Sequence, residues 1–169
     1  MQQIAEFEKV SFSQFKSGAQ LCKVPLSEDK LLAAYQALSL PLRATSGSAG
    51  YDFRSPFSFT LAPRETILIP TGIRVQIEPG WFLALLPRSG HGFKYRIQLD
   101  NTVGIIDSDY YHAENEGHIL IKLTNDSTSN RSMDIDEGDS FVQGIFLPYG
   151  ITRSDTADGL RTGGFGSTG

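Results

Sequence analysis

Cysteine is almost absent from this sequence, which contains only Cys22 among its 169 residues. A single thiol excludes an intrachain disulfide framework and any metal site built only from cysteines. Long apolar runs are also missing, since the longest, residues 81–86, falls far short of the roughly 20 residues that cross a bilayer. Residues 1–8 are acidic and lack the apolar centre of a secretory signal. We therefore expect a cytoplasmic protein without a membrane partner.

Runs of positive charge are equally scarce. The chain has 15 Lys and Arg residues against 19 Asp and Glu residues, which gives a net charge of −4. Non-specific nucleic-acid binding needs positive surface to displace counterions from phosphates, so we expect no nucleic-acid partner. Hydrophobic residues make up 40% of the chain, which is enough to build one folded core in a chain of this length.

Residues 1–42 differ in pattern from the rest of the chain. Ser27 precedes two acidic residues, and apolar residues follow at helical spacing. Serine is a favoured N-cap and acids are favoured in the first turn, so a helix is predicted here, ending before Pro41. A shorter helix is predicted within residues 11–16. The sequence therefore predicts an N-terminal helical extension over residues 1–42.

Residues 43–160 have the pattern of an all-β protein. Residues 73–77 alternate strictly between apolar and polar, residues 119–123 keep one face apolar, and residues 66–69 are apolar on both faces. Turn signals rich in proline and glycine separate these runs. Many short strands with regular turns are typical of a sandwich, a jelly roll or a barrel.

Residues 161–169 form a glycine-rich C-terminal arm with four glycines. Its G-x-G-x-x-G pattern is not a dinucleotide fingerprint, because that motif needs a helix after it. Such a tail holds no fixed shape unaided, so disorder is one interpretation. The other is that Phe165 stacks on a base while Ser167 and Thr168 bind a phosphate when the arm closes.

Residues 87–90 (PRSG) directly follow an apolar strand. Arg88 and Ser89 thus lie at the C-terminal end of that strand. A guanidinium, a hydroxyl and free backbone N–H groups at this place would suit a phosphate. An ordinary polar turn explains the same four residues equally well.

Two carboxylates, Asp107 and Asp109, stand two residues apart in residues 104–110 (GIIDSDY). On a strand they would share one face. Such a pair can act in general acid–base catalysis, bind a metal, or cap a turn. The apolar residues before Asp107 would partly desolvate it, which favours the role of a base.

The three histidines, His91, His112 and His118, show no zinc-ligand spacing. The last two flank residues 113–117, a polar stretch that predicts a solvated loop. Residues 134–138 begin like an EF-hand but place the glycine one position early and lack the distal Glu, so calcium binding is rejected.

Five segments, taken together, resemble the five motifs of the trimeric deoxyuridine triphosphatase (dUTPase) family. They follow the family's order along the chain: residues 49–52 (AGYD), 87–90 (PRSG), 104–110 (GIIDSDY), 138–143 (GDSFVQ) and 163–169 (GGFGSTG). The resemblance covers residues 44–169.

This resemblance implies a jelly-roll-like β subunit in a homotrimer, with active sites at subunit interfaces. The C-terminal arm would reach across to close a neighbour's site. The implied reaction is hydrolysis of dUTP to dUMP and pyrophosphate, in which water attacks the α-phosphorus and Mg²⁺ is held on the triphosphate rather than by protein side chains. That activity keeps uracil out of DNA and supplies dUMP for dTMP synthesis.

The resemblance also implies a role for each matching residue. Asp107 would be the general base, and Tyr110 would pack under the deoxyribose and exclude a 2′-hydroxyl. The uracil pocket would be formed by Asn101 and the strand residues Gly104, Ile105, Ile106 and Leu120. The phosphates would be held by Arg88, Ser89, Gly90 and Gln143. The arm would contribute Phe165 as the stacking residue and Arg161, Gly166, Ser167 and Thr168 around the phosphates.

The sequence departs from the family pattern at three places. Residues 111–116 make the loop after Tyr110 longer than the usual family turn, which affects the register of Leu120. Ser140 stands where the family commonly has Arg, so Lys94 or Arg96 is a candidate substitute. Arg161 lies one residue nearer the glycine pair than usual.

Two other functions remain open from the sequence. A dCTP deaminase would share the fold, and a non-catalytic trimer would bind a nucleotide without cleaving it. Residues 1–42 lie outside the shared core and are interpreted as a helical cover on the trimer surface or as a partner-binding element.

Overall fold

The computed structural model describes residues 2–159, 161 and 163. The strands within these residues are β1 (Ala5–Lys9), β2 (Leu42–Arg43), β3 (Tyr51–Arg54), β4 (Phe59–Leu61), β5 (Thr66–Pro70), β6 (Ile73–Ile77), β7 (Trp81–Pro87), β8 (Ile97–Leu99), β9 (Gly104–Ile106), β10 (Leu120–Asn125), β11 (Met133–Ile135) and β12 (Ser140–Pro148). The helices are α1 (Phe12–Leu21), α2 (Glu28–Ala37) and α3 (Ser89–Tyr95), with a 3₁₀ turn at Ser108–His112. The predicted all-β class is confirmed in its coarser form, as a mostly β protein that also contains helices.

The strands pair antiparallel in four sheets. A five-stranded sheet has the order β2-β3-β12-β7-β9, and a three-stranded sheet has the order β5-β10-β8. Strands β1 and β6 form one two-stranded sheet, and β4 and β11 form another. Strand β12 is central to the largest sheet because β3 and β7 pair on either side of it.

The main core lies between these sheets and is built from the alternating inward residues of the strands. Its fully buried members include Phe53, Leu83, Ile121 and Phe141. A second, smaller cluster joins the two N-terminal helices and is centred on Phe15. No helix of the described residues is long and apolar enough to span a membrane.

The N-terminal region contains a strand that the sequence analysis missed. Strand β1 pairs with β6, with Glu8 opposite Arg74. The inward residue Phe7 packs its ring 5.4 to 5.7 Å from the rings of Tyr51, Phe53 and Phe146. Edge-on contacts among aromatic rings add to the free energy of burying them. Residues 1–42 are thus not only helical, because they also contribute a strand to one of the sheets.

Both predicted N-terminal helices are present, and their starts differ in detail. Ser11 caps α1, since its hydroxyl accepts a hydrogen bond from the N–H of Gln14. Ser27 occupies the N-cap position of α2 but makes no such bond. Helix α1 runs to Leu21, five residues beyond the predicted end at residue 16.

Candidate functional site

The two carboxylates at the end of β9 lie beside the same guanidinium. Asp107 directly follows the strand, at the N-cap position of the 3₁₀ turn, and Asp109 lies within that turn. Arg161 Nη1 is 3.0 Å from Asp107 Oδ2 and 3.3 Å from Asp109 Oδ1. The two carboxylates do not share a strand face, because Asp109 lies in the 3₁₀ turn. Asp107 does not cap that turn either, because its side chain makes no hydrogen bond to the N–H groups of the turn.

The expected desolvation of Asp107 is not found within a single chain. Its side chain remains 53% exposed. The reason is the alternation of β9, in which Ile106 turns into the core and the following residue consequently turns outward. A water molecule can therefore reach the Asp107 carboxylate from outside.

Tyr110 is held rigidly next to this pair. Its hydroxyl donates to the carbonyl oxygen of His118 at 2.8 Å and accepts a hydrogen bond from Asn115 Nδ2 at 2.7 Å. Burial raises the pKa of the Tyr110 phenol, against the lowering effects of Asn115 and Arg161. The Arg161 guanidinium lies 4.9 Å from the centre of the Tyr110 ring. The phenol is therefore neutral at physiological pH, and Tyr110 is held in place beside the Arg161 guanidinium with only 2% of its surface exposed.

His118 is buried, so the prediction of a solvated loop around it is wrong. Its Nε2 accepts a hydrogen bond from the N–H of Gly72 at 2.9 Å. The ring lies against Gly18 of α1, where a Cβ would come within 2.5 Å of His118 Cε1. Burial lowers the pKa of His118 from 6.5 to about 4. The ring is therefore neutral and acts as a hydrogen-bond acceptor inside the protein.

Replacing His118 by Gln is expected to reduce the acid sensitivity of the fold. The unfolded chain binds a proton at His118 below pH 6.5, whereas the folded chain does so only near pH 4. The contribution of His118 to the free energy of unfolding is therefore fully present above pH 6.5. It is lost as the pH falls toward 4, by about 3 kcal/mol in total. The Gln amide oxygen can still accept from the N–H of Gly72.

Urea unfolding at pH 7 and pH 5 tests this expectation. Wild-type protein should lose about 2 kcal/mol more than the His118→Gln variant over this interval. The pKa of His91 is also lowered by burial, and that residue is present in both proteins, so the difference between them reports His118. Equal losses in the two proteins would contradict the assignment.

A second group of predicted residues surrounds the N-terminus of α3. Arg88 Nε lies 3.2 Å from Asp52 Oδ1, and Arg88 Nη1 donates to the carbonyl of Ser140 at 3.2 Å. Gln143 Nε2 donates to the carbonyl of Pro87 at 3.2 Å. Ser89 and Gly90, the first residues of the helix, are exposed. Several N–H and guanidinium donors thus lie close together on the surface.

The structure separates the two candidate substitutes for the missing arginine at Ser140. Arg96 Nη2 is 3.2 Å from Asp126 Oδ2, so this guanidinium is engaged elsewhere. Lys94 is on α3, with its Nζ 4.9 Å from the Tyr95 ring centre. Ser140 itself lies where the register of β12 against β3 shifts. Of the two, only Lys94 shares the helix that begins next to Arg88.

A cleft of about 340 Å³ contains three of the predicted uracil-pocket residues, Asn101, Gly104 and Leu120. Leu120 is the first residue of β10, opposite Pro70, despite the longer loop before it. The remaining predicted members, Ile105 and Ile106, are on β9, half-exposed and buried respectively. The size and mainly apolar lining suit a flat heterocycle.

Sequence reasoning missed several residues of this cleft. They come from five different elements and one turn: Leu21, Leu68, Leu85, Leu99, Asp100, Ile121 and Lys122. Lys122 could have been found, because it alternates onto the same face of β10 as Leu120. Leu21 could not, because only the packing of α1 brings it near the cleft.

The described contacts leave the candidate residues in separate groups. Asp107 contacts Arg161, and Tyr110 is bonded to the loop that follows it. Arg88 instead contacts Asp52 and Ser140. The arm residues Phe165, Gly166, Ser167 and Thr168 lie outside the described residues. Among the described residues, no cluster of three or more His, Cys, Asp or Glu side chains could hold a metal ion.

The family model described as dUTPase matches residues 36–169. This chain belongs to the dUTPase family. The membership expected from the motif order is confirmed, and the match begins upstream of residue 44. The rival deaminase prediction is not favoured.

Individual dUTPases show the same relationship. The deoxyuridine 5′-triphosphate nucleotidohydrolase of Lactococcus lactis subsp. lactis is 38% identical over 135 residues, which cover 78% of this chain and 89% of that protein. The dUTPase structure from Streptococcus mutans has a TM-score of 0.63 and 28% identity, covering 88% of this chain and 98% of that one.

A phage dUTPase structure shares the fold at lower identity. It is a mutant dUTPase from phage phi11 of S. aureus that reveals the coordination of a structural Mg(II) ion. The TM-score is 0.60 and the identity 20%, over 93% of this chain and 98% of that one. Both solved structures therefore extend over part of the N-terminal region that precedes the family model.

Proposed function

We propose that this chain hydrolyses dUTP to dUMP and pyrophosphate, with Asp107 as the general base. Asp107 would orient a water molecule and take its proton as the water attacks the α-phosphorus. The observation that carries this proposal is the accessible Asp107 carboxylate, whose side chain is 53% exposed next to the rigidly held Tyr110. Phosphoryl transfer depends mainly on such positioning and on charge stabilisation.

The phosphates would bind the group around α3. Arg88 and Gln143 supply side-chain donors, while Ser89 and Gly90 supply a hydroxyl and backbone N–H groups. Lys94 would supply the positive charge that the family's arginine provides at the position of Ser140. Mg²⁺ enters as part of the substrate, bound to the triphosphate.

The base would lie in the cleft between β9 and β10. Asn101 and the backbone of Ile105, Ile106 and Leu120 would read the uracil edge. Close packing limits the space there, since a Cβ at Gly104 would lie 3.0 Å from Leu85 Cβ. Tyr110 would pack under the deoxyribose, where a 2′-hydroxyl would collide with a ring that cannot withdraw.

The C-terminal arm would complete the site. Phe165 would stack on uracil, and Ser167, Thr168 and the Gly166 backbone would contact the phosphates. Arg161 would exchange its two carboxylate partners for the triphosphate. Ordering the arm costs roughly 1–2 kcal/mol per residue, which stacking and charged phosphate contacts must offset. Arm closure then excludes bulk water from the reacting centre.

A homotrimer would bring the separate groups together. In this proposal each jelly-roll-like subunit, carrying its N-terminal extension, sends its arm to a neighbour's site. Exposed apolar side chains at and after the end of β12 support such an interface: Leu147, Tyr149 and Ile151 are 41%, 50% and 74% exposed. These residues precede the arm in the chain.

Pyrophosphate release with Mg²⁺ from dUTP, dTTP, dCTP and UTP tests the proposal. We expect turnover of dUTP alone, because the cleft selects uracil and Tyr110 selects the deoxy sugar. No pyrophosphate release from any of the four nucleotides, with dUTP still bound, would reject the proposal in favour of a nucleotide-binding protein. Equal turnover of dUTP and UTP would reject the role assigned to Tyr110.

A further inference from the structure

Residues 111–118 form a loop that lies against the backbone of Tyr110. Gly117 has a φ of +69°, and a Cβ at this position would lie 2.8 Å from the Tyr110 carbonyl oxygen. The Tyr110 hydroxyl donates to the carbonyl of His118 at 2.8 Å. Asn115 of the same loop donates to that hydroxyl at 2.7 Å. The loop and the Tyr110 side chain must therefore move together.

The N-terminal segment binds this loop through two carboxylates. Ser11 donates from its backbone N–H and its hydroxyl to Glu116, at 2.7 and 2.6 Å. The Tyr111 hydroxyl donates to Glu8 Oε2 at 2.9 Å, and Arg74 Nη2 lies 2.6 Å from the same oxygen. Burial raises the pKa of Glu116, but the bonds from Ser11 outweigh it and hold that pKa below its ordinary value. Both carboxylates are ionised near neutral pH.

Helix α1 contacts the loop at a third place, the ring of His118. Gly18 leaves no room for a Cβ beside that ring, and the Phe15 ring centre lies 6.4 Å from it. On its other side the ring accepts the hydrogen bond from Gly72. Because the His118 carbonyl accepts the Tyr110 hydroxyl, the packing of α1 fixes the hydrogen-bond partner of Tyr110.

We call the contacts of Glu8, Ser11 and Gly18 with residues 111–118 the N-terminal brace. Its N-terminal half lies outside residues 36–169, which the family model matches. The loop that it holds is the one longer than the usual family turn. Asp107 is not part of it, because that carboxylate contacts Arg161. The brace therefore acts on Tyr110 and not directly on the base.

We propose that the N-terminal brace sets the discrimination between deoxyribonucleotide and ribonucleotide by fixing the position of Tyr110. The inference rests on the proposed function, in which the Tyr110 ring packs under the sugar. Glu8, Ser11, Glu116 and His118 are positioning residues in this scheme and touch no substrate. The exclusion of a 2′-hydroxyl depends on a ring that cannot move away from the sugar, so a Tyr110 ring loosened by loss of the brace would admit a ribonucleotide.

The variant Glu116→Gln tests the brace without removing the cap of α1. A Gln side chain has one acceptor oxygen, so only one of the two Ser11 donors keeps its partner. The measurement is KM for dUTP and the inhibition constant of UTP, with kcat recorded alongside. We expect the ratio of the UTP inhibition constant to the dUTP KM to fall about tenfold, since a bond to a charged group is lost. The kcat for dUTP should change much less, because Asp107 keeps its contacts.

Glu114→Gln is the matched control, because Glu114 is exposed in the same loop and the charge change is identical. It should leave the ratio unchanged. Tyr111→Phe removes the bond to Glu8 while keeping the ring beside Arg74, and it should lower the ratio as Glu116→Gln does. An unchanged ratio in both brace variants would overturn the inference, and so would an equal loss for both nucleotides. Wild-type protein inactive on dUTP would instead overturn the proposed function itself.

Discussion

Replacing Asp107 by Asn is expected to lower kcat for dUTP by about 10²–10⁴-fold, the usual contribution of a positioned general base. Asn has nearly the same shape but cannot accept the proton of the attacking water at physiological pH. Binding of dUTP should persist, because the cleft and the phosphate donors around Arg88 are unchanged. The measurement is single-turnover pyrophosphate release together with calorimetric titration of dUTP.

Asp109→Asn is the control that the site itself offers. Asp109 shares the Arg161 guanidinium with Asp107, at 3.3 and 3.0 Å, so both variants remove one negative charge from the same place. Only Asp107 is assigned the proton transfer, so the loss in Asp109→Asn should be far smaller. Near-normal turnover in Asp107→Asn, or equal losses in the two variants, would show that Asp107 is not the base.

Deleting residues 161–169 is expected to abolish nearly all activity while leaving a folded protein. The arm supplies the stacking residue Phe165 and four further residues that contact the phosphates in the proposed mechanism. The fold should survive because the buried residues of the main core lie between Phe53 and Val142. Steady-state turnover and the melting temperature of the truncated chain are the two measurements.

Mixing experiments extend the arm prediction to the subunit arrangement. If each arm completes a neighbour's site, then Asp107→Asn trimers and arm-deleted trimers are both inactive. Exchange of their subunits should restore part of the wild-type activity, because some sites then combine an intact Asp107 with a neighbour's arm. Full activity of the truncated chain alone, or no recovery on exchange, would contradict this arrangement.

Much of the β structure could be predicted from local pattern. Strand β6 occupies the residues whose strict alternation indicated it, and β5 and β7 differ from the predicted segments by one residue at the C-terminal end. Alternation works there because one face of each strand meets the core. Strand β1 shows the same alternation around Phe7, yet it is short and stands next to helices, and it was not predicted.

The candidate site was predictable only where its residues follow one another in the chain. The motif order indicated Asp107 and Tyr110 as site residues, and both lie beside Arg161 in the structure. The burial of His118 could not be predicted, because it depends on α1 packing from about a hundred residues away. The exposure of Asp107 likewise depends on which way β9 faces.

The bond between Ser11 and Glu116 also bears on the order in which a growing chain can fold. Their positions differ by 105 residues, so Ser11 leaves the ribosome long before its partner is made. At about 5–20 residues per second, this interval is on the order of 5–20 s. During that time α1 lacks His118 to pack against, and β1 lacks its partner strand β6 until residue 77 emerges. The N-terminal segment thus docks late in synthesis, and the turn that carries Tyr110 is secured in the same late step.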